Sequence, residues 1–358
     1  MRQGTEQTDS AVPLILLSSR EGELAGRSGY SLLADYLPCA TLIERNRHTP
    51  TGLAKRFLTG ILSRSALSRW YRLGSAGLEW EAWRRIRRGY SGVIHYLWAD
   101  RDWGFLDYAL NARRHKLCGT FHSCPDSFTE TVGNPLRLKK LDAIILMSEV
   151  QRAFFEAHHV DPARIHVIPH GIDTQFFRPG LPSGLGPFVA LAVGSYRRNF
   201  TRLRAVCERL RGRDDIRFRV IAPPSFRESF QDLSHVEFLS GLSDEQLVAQ
   251  YQEAGCLVMT ADAATANNAI LEAMACGLPI VSEDIGGTRE YVDSACAKLT
   301  APEDVDALVA AVVSIAESPG LRSTMSRAAR LRAEALDWNR IADRTLQLYG
   351  SIWSNPCV

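Results

Sequence analysis

The feature that most constrains the fold is an alternation of short apolar segments with helical segments, in which polar residues follow each apolar run. The first run, Pro13–Leu17, leads through a glycine-containing loop into a helix-like stretch from Tyr30 to Tyr36. Strand, glycine-rich loop and helix in this order open a doubly wound α/β domain. Three further predicted strands continue the pattern: Gly92–Leu97, Lys116–Thr120 and Ala143–Met147.

The same alternation restarts after residues 178–187, a segment dense in proline and glycine that is predicted to be a linker. A chain of 358 residues is also longer than a single core usually organises. The sequence therefore predicts an α/β fold of two doubly wound, Rossmann-like domains, residues 1–180 and 186–335, facing each other across a cleft. The predicted elements of the second domain are the strands Phe188–Val193, Asp215–Ile221, His235–Leu239, Cys256–Met259 and one from Ile280, and the helices Thr201–Leu210, Asp244–Gln252 and Ala269–Cys276.

Composition and charge exclude several classes of protein. The net charge of +2 does not favour a nucleic-acid-binding protein. No apolar run is long enough to cross a bilayer, and residues 1–10 lack the pattern of a secretory signal. The eight cysteines form no C-x-x-C pair, and no Cys/His cluster has ligand spacing. We therefore expect buried reduced thiols, a cytoplasmic location and no metal site.

The stretch from Arg45 to Arg88 combines many basic residues with aromatic ones. Its acidic residues are few, and Trp70, Tyr71, Trp80 and Trp83 are interleaved with the basic residues. Such a stretch suits an anionic membrane surface or an anionic acceptor. The alternative is a solvated helical face whose tryptophans pack inward. Membrane contact requires the arginines to share one exposed face.

The most specific motif in the chain extends from Asn267 to Val281. Asn267 and Asn268 precede a predicted helix that carries Glu272 in its first turns. The free N–H groups and the dipole of a helix N-terminus favour a phosphate there, and a carboxylate one turn deeper can accept hydrogen bonds from ribose hydroxyls. An ordinary amphipathic helix capped by one of the asparagines is the alternative.

Three segments resemble one enzyme family. Glu272–Val281 is similar to the signature of the retaining glycosyltransferases of family 4, which have the GT-B fold. Ile168-Pro-His-Gly-Ile-Asp173 resembles the family's I-P-N-G-V-D motif, and Gly286-Gly-Thr-Arg-Glu290 resembles its G-G-x-x-E element. The resemblance covers most of residues 140–350, with the three motifs in the family's order. It implies a GT-B fold in which a terminal helix, residues 336–358, crosses back to the first domain.

The resemblance also assigns donor-binding residues. Glu272 corresponds to the second glutamate of the family's Glu-x7-Glu motif, which holds the donor ribose. The first glutamate is replaced by Ala264, with Asp262 as a nearby carboxylate, and the amides of Asn267 and Asn268 are expected to contact the sugar. The family's V-G-R and a following lysine clamp the pyrophosphate; here the expected cations are Arg197, Arg198 and Arg202.

Further candidates come from the same comparison with the family. Gly26 and Gly29 resemble the loop that faces the donor phosphate, and Leu239, at the end of a predicted strand, joins the donor-binding candidates. His122 follows a strand and resembles the family's cleft histidine, which lies by the donor sugar. Independently of the resemblance, Trp98, Asp100, Arg101 and Asp102 follow another predicted strand and are candidates for contact with the acceptor.

The resemblance implies a retaining, metal-independent transfer of a sugar from a nucleotide-diphosphate sugar to the hydroxyl of a glycan or lipid-linked acceptor. It implies no further cofactor, and peripheral contact with an anionic membrane is part of the same prediction. The alternative is a non-catalytic GT-B protein that binds nucleotide and serves as partner of another transferase, which Ala264 and the altered V-G-R motif favour. A GT-B nucleotide-sugar epimerase is disfavoured by the motif at Ile168–Asp173.

Overall fold

Two parallel six-stranded sheets form the framework of the protein. The computed structural model describes residues 12–19, 26–44, 66–180 and 186–354. The first sheet has the order β2-β1-β3-β4-β5-β6 and the second the order β12-β11-β10-β7-β8-β9, so both are doubly wound as predicted. We call the parts of the chain around these sheets the N-terminal and C-terminal domains.

The strands of the N-terminal domain are short and largely apolar. They are β1 (Leu14–Ser18), β2 (Ala40–Glu44), β3 (Gly92–Tyr96), β4 (His115–Phe121), β5 (Ala143–Leu146) and β6 (Ile165–Val167). Its α-helices are α1 (Leu73–Arg87), α2 (Ala99–Asp102), α3 (Phe128–Thr131) and α4 (Arg152–Ala157). Turns of 3-10 helix span Tyr30–Tyr36, Leu106–Ala109, Pro125–Ser127, Pro135–Lys140, Glu149–Gln151 and Pro162–Arg164.

The C-terminal domain repeats this arrangement. Its strands are β7 (Phe188–Val193), β8 (Ile216–Ile221), β9 (Val236–Leu239), β10 (Cys256–Met259), β11 (Ile280–Glu283) and β12 (Ala297–Thr300). Its α-helices are α5 (Phe200–Arg209), α6 (Asp244–Glu253), α7 (Asn268–Ala275), α8 (Thr288–Tyr291), α9 (Val305–Glu317), α10 (Pro319–Ala335) and α11 (Trp338–Ser354). A 3-10 turn covers Pro224–Phe230.

Strand β1 shows why these runs fold as central strands. Ile15 and Leu17 lie in the core on one face of the sheet, whereas Leu14 and Leu16 lie in the core on the other face. Successive side chains of a strand point to opposite faces, so a strand covered on both sides needs apolar residues throughout. The continuous apolar run of β1 therefore reflects the burial of this strand on both faces of the sheet.

Helix α11 leaves the C-terminal domain and packs on the N-terminal sheet. Trp338, Ile341 and Tyr349 are buried in the same core cluster as Leu16 and Val93. This packing covers one face of the N-terminal sheet with the end of the chain, as the resemblance implies.

Part of the basic aromatic stretch lies outside the described residues, including Arg45, Arg47, Lys55, Arg56 and Arg64. The same holds for residues 181–185 of the predicted linker. In the part of the chain that the structure describes, no helix is both long and apolar enough to cross a membrane.

The return of α11 depends on close contact between Gly171 and Trp338. The backbone N–H of Trp338 donates to the carbonyl of Ile172 at 3.2 Å, and a Cβ built on Gly171 would lie 2.3 Å from Trp338 Cε3. We predict that Gly171→Ala lowers the free energy of unfolding by about 1–3 kcal/mol, because the fully buried indole has little room to shift. Urea denaturation measures the change.

Gly212→Ala is the matched control, because a Cβ at Gly212 would meet no atom within 4 Å. We expect its free energy of unfolding to stay within about 0.5 kcal/mol of that of the native protein. Equal stability of the two variants would show that Trp338 does not hold α11 in place.

Candidate functional site

The carboxyl ends of the two sheets meet in a cleft with direct contacts across it. Thr265, which follows β10, donates its hydroxyl to the carbonyl of His122, which follows β4, at 3.0 Å. Asn268 Nδ2 donates to the carbonyl of Ser28, in the loop after β1, at 2.8 Å. The loops that follow the strands of both domains therefore line one site, which is where open α/β sheets bind ligands.

The N-terminus of α7 contributes two amide side chains to this site. Asn267 is the N-cap residue, but its side chain makes no capping hydrogen bond; its Oδ1 accepts a hydrogen bond from Arg198 Nη2 at 2.9 Å. Asn268 reaches across the cleft to Ser28. The side chains therefore take part in contacts beyond the helix, which disfavours the interpretation of an ordinary capped helix.

Glu272 lies one turn into α7 and is buried. The hydroxyl of Tyr251 donates to its Oε2 at 2.7 Å, and Ser28 gives a further side-chain hydrogen bond. Burial raises the pKa of the Glu272 carboxyl, and these hydrogen bonds act in the opposite direction. A buried carboxylate with two hydroxyl donors already beside it is chemically suited to accept hydrogen bonds from a sugar diol.

Arg198 places a positive charge beside the start of α7. Its guanidinium donates to the carbonyl oxygens of Val193 (3.1 Å) and Tyr196 (3.2 Å) and to the amide oxygen of Asn267, all of them uncharged. Burial lowers the pKa of this guanidinium to about 10, and electrostatic attraction to Glu272 acts in the opposite direction. Among the described residues no carboxylate pairs with Arg198 directly, so the group is available to an anion from outside.

Arg197 points across the cleft. Its Nη1 lies 3.2 Å from Asp126 Oδ2, and its Nη2 donates to Ser127 Oγ, so it joins the C-terminal domain to the turn after β4. The residue has a backbone φ of 56°, a value that residues other than glycine rarely adopt. The predicted phosphate contact of Arg197 is thus replaced, in this structure, by a contact between the domains.

Arg202 does not join the group around Arg198. Its guanidinium pairs with Glu283 Oε1 at 3.0 Å and with Asp262 Oδ1 at 2.9 Å, and it donates to the carbonyl of Ala261 at 2.7 Å. The carboxylate of Glu283 also accepts the backbone N–H of Ala261 at 3.0 Å. These contacts give Arg202 a role in holding the loop after β10.

The ring of His122 lies in an aromatic setting. It stacks on Trp98 with centroids 3.8 Å apart and meets the ring of Tyr30 edge-on at 4.7 Å. Its Nε2 lies 2.8 Å from the carbonyl oxygen of Leu97, which can only accept a hydrogen bond. Nε2 therefore carries a proton, and in the neutral ring Nδ1 is an acceptor.

The remaining predicted donor residues lie around the same cleft. Gly26 comes close to α6, because a Cβ on it would lie 3.1 Å from Asp244 Oδ2, and Gly29 is the N-cap of the turn at Tyr30–Tyr36. Leu239 ends β9 and packs, partly buried, against the core that contains α7.

The loop around Ala264 is closed by two glycines. Gly287 donates its N–H to the Ala264 carbonyl at 3.0 Å, and a Cβ on Gly286 would lie 2.1 Å from that oxygen. The carboxylate of Asp262 is held by Asn199 Nδ2 at 2.9 Å and by Arg202. Both contacts are made to Oδ1 of a half-exposed side chain, and the substitution of Asp262 for the missing carboxylate stays a prediction.

Two of the residues predicted to contact the acceptor substrate have side chains that point into the protein interior. Asp100 and Asp102 are buried; Asp102 accepts the Ser75 hydroxyl at 2.7 Å and the N–H of Ser19 at 3.0 Å. Burial raises the pKa of Asp102 to about 6. Both carboxylates hold loops of the cleft, so the expectation that they contact an acceptor is not supported by their geometry.

The sequence analysis did not predict several residues of the site. Tyr251 and Thr265 show no signal there, because their partners Glu272 and His122 are distant in the chain. Gln151 could have been found, since Ser148-x-x-Gln151 has the spacing of a capping box and the structure contains that box. Within the described ranges, no three side chains form a cluster able to hold a metal ion.

Two protein-family models match the chain. A model described as glycosyl transferases group 1 matches residues 187–318, and a model described as Glycosyltransferase Family 4 matches residues 44–176. Together they span the loops of both domains that line the cleft, with the exception of the Gly26–Gly29 loop.

Similar proteins carry related descriptions. An MMP α-(1→4)-mannosyltransferase of Mycolicibacterium hassiacum is 30% identical over 203 residues, which are 53% of this chain and 49% of the relative. A D-inositol 3-phosphate glycosyltransferase of Mycolicibacterium paratuberculosis is 27% identical over 295 residues, 73% of this chain and 67% of the relative. The match thus spans about half the length of the first relative and two thirds of the second.

A solved structure agrees in fold. HepE of Anabaena, in complex with UDP and glucose, superposes with a TM-score of 0.68 at 15% sequence identity, covering 95% of this chain and 100% of that one. The two-domain GT-B prediction is therefore confirmed.

The pairing of Arg202 generates a test of its role. We predict that Arg202→Ala lowers the free energy of unfolding by about 3–5 kcal/mol, because it leaves the buried carboxylate of Glu283 without its cation. Glu283→Gln in the same background should recover part of the loss, since the amide oxygen can still accept from Ala261. Chemical denaturation of the two variants measures both effects.

A structural role also predicts that Arg202→Ala, where it is folded, binds nucleoside diphosphate with native affinity. Native stability combined with lost affinity would instead support the phosphate contact predicted from the sequence.

Proposed function

Because the chain belongs to the group 1, family 4 glycosyltransferases, we propose that it moves a sugar from a nucleotide-diphosphate sugar to an acceptor hydroxyl with retention of anomeric configuration. The observation that carries this proposal is the half-buried guanidinium of Arg198, held by uncharged acceptors beside the N-terminus of α7. That combination is suited to a diphosphate and has no evident purpose in an apolar core.

The residues of the cleft divide the reaction between them in this proposal. The ribose of the donor bonds to Glu272, and its diphosphate lies between Arg198 and the free N–H groups at the start of α7. As the sugar–phosphate bond breaks, these cationic and N–H donors neutralise the leaving diphosphate, so the step does not depend on a metal ion. His122 lies on the sugar side in this proposal, with its ring held by the Leu97 carbonyl and stacked on Trp98.

The acceptor, a glycan or a lipid-linked sugar, approaches in this proposal from the N-terminal domain. HepE, which shares the fold, was solved with UDP and glucose, so UDP-sugars are the first donors to examine. The non-catalytic alternative gains no support from the relatives, whose names are those of transferases.

The role of Arg198 can be tested by substitution. We predict that Arg198→Gln weakens binding of UDP by about 10- to 100-fold, because a charge-assisted hydrogen bond contributes about 1.5–3 kcal/mol, and leaves the weaker binding of uridine nearly unchanged. Isothermal titration calorimetry with both ligands measures the difference.

Arg209→Gln provides the control, because Arg209 is exposed and pairs with Asp306 on the surface; its UDP affinity should be native. Release of nucleoside diphosphate from a panel of nucleotide sugars then tests catalysis itself. Equal losses for UDP and uridine would remove Arg198 from the phosphate site, and binding without any turnover would favour the non-catalytic alternative.

The second proposal concerns peripheral membrane contact through α1. On this helix Trp80, Arg84 and Arg87 follow the spacing of one helical face, and all three are exposed, Trp80 by 61%. Trp83 stacks on Trp80 at 4.8 Å and packs partly against the core, while Leu78 lies on the buried side. Arg84 and Arg87 thus share an exposed face with Trp80, which supports membrane contact, whereas the ion pair of Arg84 with Glu81 at 2.9 Å favours the alternative of a solvated, paired surface.

We predict that the native protein co-sediments with anionic vesicles at low salt and is released as salt rises. Replacing Trp80 with Ala and both Arg84 and Arg87 with Gln should weaken binding by at least about 30-fold, since each basic residue contributes about 1 kcal/mol near such a surface. Sedimentation with anionic and neutral vesicles measures the partition.

The control replaces Arg209 and Arg327 with Gln, which changes the net charge equally on the exposed surface of the other domain. Its binding should stay native. If anionic vesicles bind none of these proteins at low ionic strength, the surface of α1 is merely solvated.

A further inference from the structure

The backbone around His122 is held on its N–H side by one buried carboxylate. Asp100 Oδ2 accepts the N–H of His122 at 2.8 Å, the N–H of Ser123 at 2.7 Å and the hydroxyl of Ser123 at 2.8 Å. Asp100 belongs to α2, which packs beside β4. Three donors on one oxygen fix this turn from one direction.

A buried amide holds the same backbone on its carbonyl side. Gln151 Nε2 donates to the carbonyl of Phe121 and to that of Ser123, both at 3.0 Å. These two carbonyls flank His122. The side chain of Gln151 is fully buried, so its two N–H groups have no competing solvent.

The other end of the Gln151 amide leads to the contact between the domains. Its Oε1 accepts the N–H of Met147 at 2.7 Å and that of Ser148 at 3.1 Å. Ser148 Oγ donates to Glu290 of the C-terminal domain, and the N–H of Glu149 lies 2.9 Å from Glu290 Oε2. One amide therefore lies between the His122 backbone and a carboxylate that reaches across the cleft.

We propose that Gln151 is a positioning residue for the transfer reaction: it sets the backbone on both sides of His122 and connects that backbone to the contact that Glu290 makes with Ser148. The inference rests on the proposed function, because it places His122 on the sugar side of the cleft. It adds a route by which the relative position of the domains sets the position of the histidine.

Gln151→Glu separates the two ends of the amide. A carboxylate oxygen can still accept from Met147 and Ser148, so the capping box is retained. The other oxygen would face the carbonyls of Phe121 and Ser123; it could donate to neither when ionised and to only one of them when protonated, so at least one of the two hydrogen bonds is lost. The substitution therefore disturbs the side that faces His122 while leaving the helix start in place.

The expected result for Gln151→Glu is a loss in kcat of about 10- to 100-fold, since a displacement of about 1 Å at a reacting group can cost that much. KM for the donor should change by less than about threefold and UDP affinity not at all, because Gln151 contacts neither Glu272, Arg198 and the start of α7 nor the Gly26–Gly29 loop. Steady-state kinetics with the donor that the native protein turns over, together with UDP calorimetry, measure this split.

Gln246→Glu is the matched control. Gln246 forms the same kind of capping box, with Ser243 at the start of α6, and its Oε1 accepts the N–H of Ser243 at 2.8 Å. We expect native kcat and KM for this variant.

Glu290→Ala tests the connection across the cleft. Alone it should lower kcat by a smaller factor than Gln151→Glu does. In the Gln151→Glu background it should lower kcat little further, because both substitutions disturb the same series of contacts from Glu290 to the His122 backbone. If the fold-losses in kcat of the two single variants multiply in the double variant, the connection to Glu290 is overturned.

Amide hydrogen exchange of a peptide spanning residues 121–124 gives a readout without turnover. Exchange should be faster in Gln151→Glu than in the native protein and in Gln246→Glu. Native kcat or native exchange in Gln151→Glu would overturn the inference, as would a loss of UDP affinity equal to the loss of kcat. A native protein that turns over no donor would count against the proposed function, and the exchange result would still decide whether Gln151 holds His122.

Discussion

The guanidinium of Arg198 is held by the carbonyls of Val193 and Tyr196 and by the amide oxygen of Asn267, without a direct carboxylate partner among the described residues. Burial of a cation in such a setting costs free energy, which the depressed pKa of about 10 expresses. An anion that binds beside it recovers this free energy, and the N-terminus of α7 favours the same anion. Strand β7, the turn after it and the start of α7 therefore hold the positive charge of Arg198 in place without a direct carboxylate partner among the described residues.

Arg202 shows the opposite arrangement only four residues along the chain. It is paired with Glu283 and Asp262 and contributes the rigidity of the loop after β10. Arg197, on the other side, reaches Asp126 in the N-terminal domain. Two of these neighbouring arginines thus anchor a loop and join the domains, and we propose that the third, Arg198, binds an anion. What separates these roles is whether a carboxylate from another element lies within reach.

The same reason sets the limit of what the sequence can predict. The central strands were predicted because burial on both faces demands continuous apolar runs, and β7 and β10 have the predicted bounds. The edge strands β2, β6 and β12 were missed, since strands such as Ala297–Thr300 are only partly buried and carry a mixed pattern. The cluster of arginines was also found from the sequence. Its division into roles was not, because Arg202 and Glu283 are 81 positions apart.

Under the proposed function, the replacement of the first motif glutamate by Ala264 affects sugar binding rather than stabilisation of the leaving group. Gly286 and Gly287 pack closely on the Ala264 backbone, which carries no carboxylate, and Asn199 and Arg202 both contact Oδ1 of Asp262. Under the proposed function, a carboxylate there would act on sugar hydroxyls, which remain unchanged during bond cleavage. The developing charge would lie on the diphosphate, where we propose that Arg198 and the α7 amides act. We therefore expect loss of that carboxylate to alter which sugar is held and to leave stabilisation of the leaving group in place.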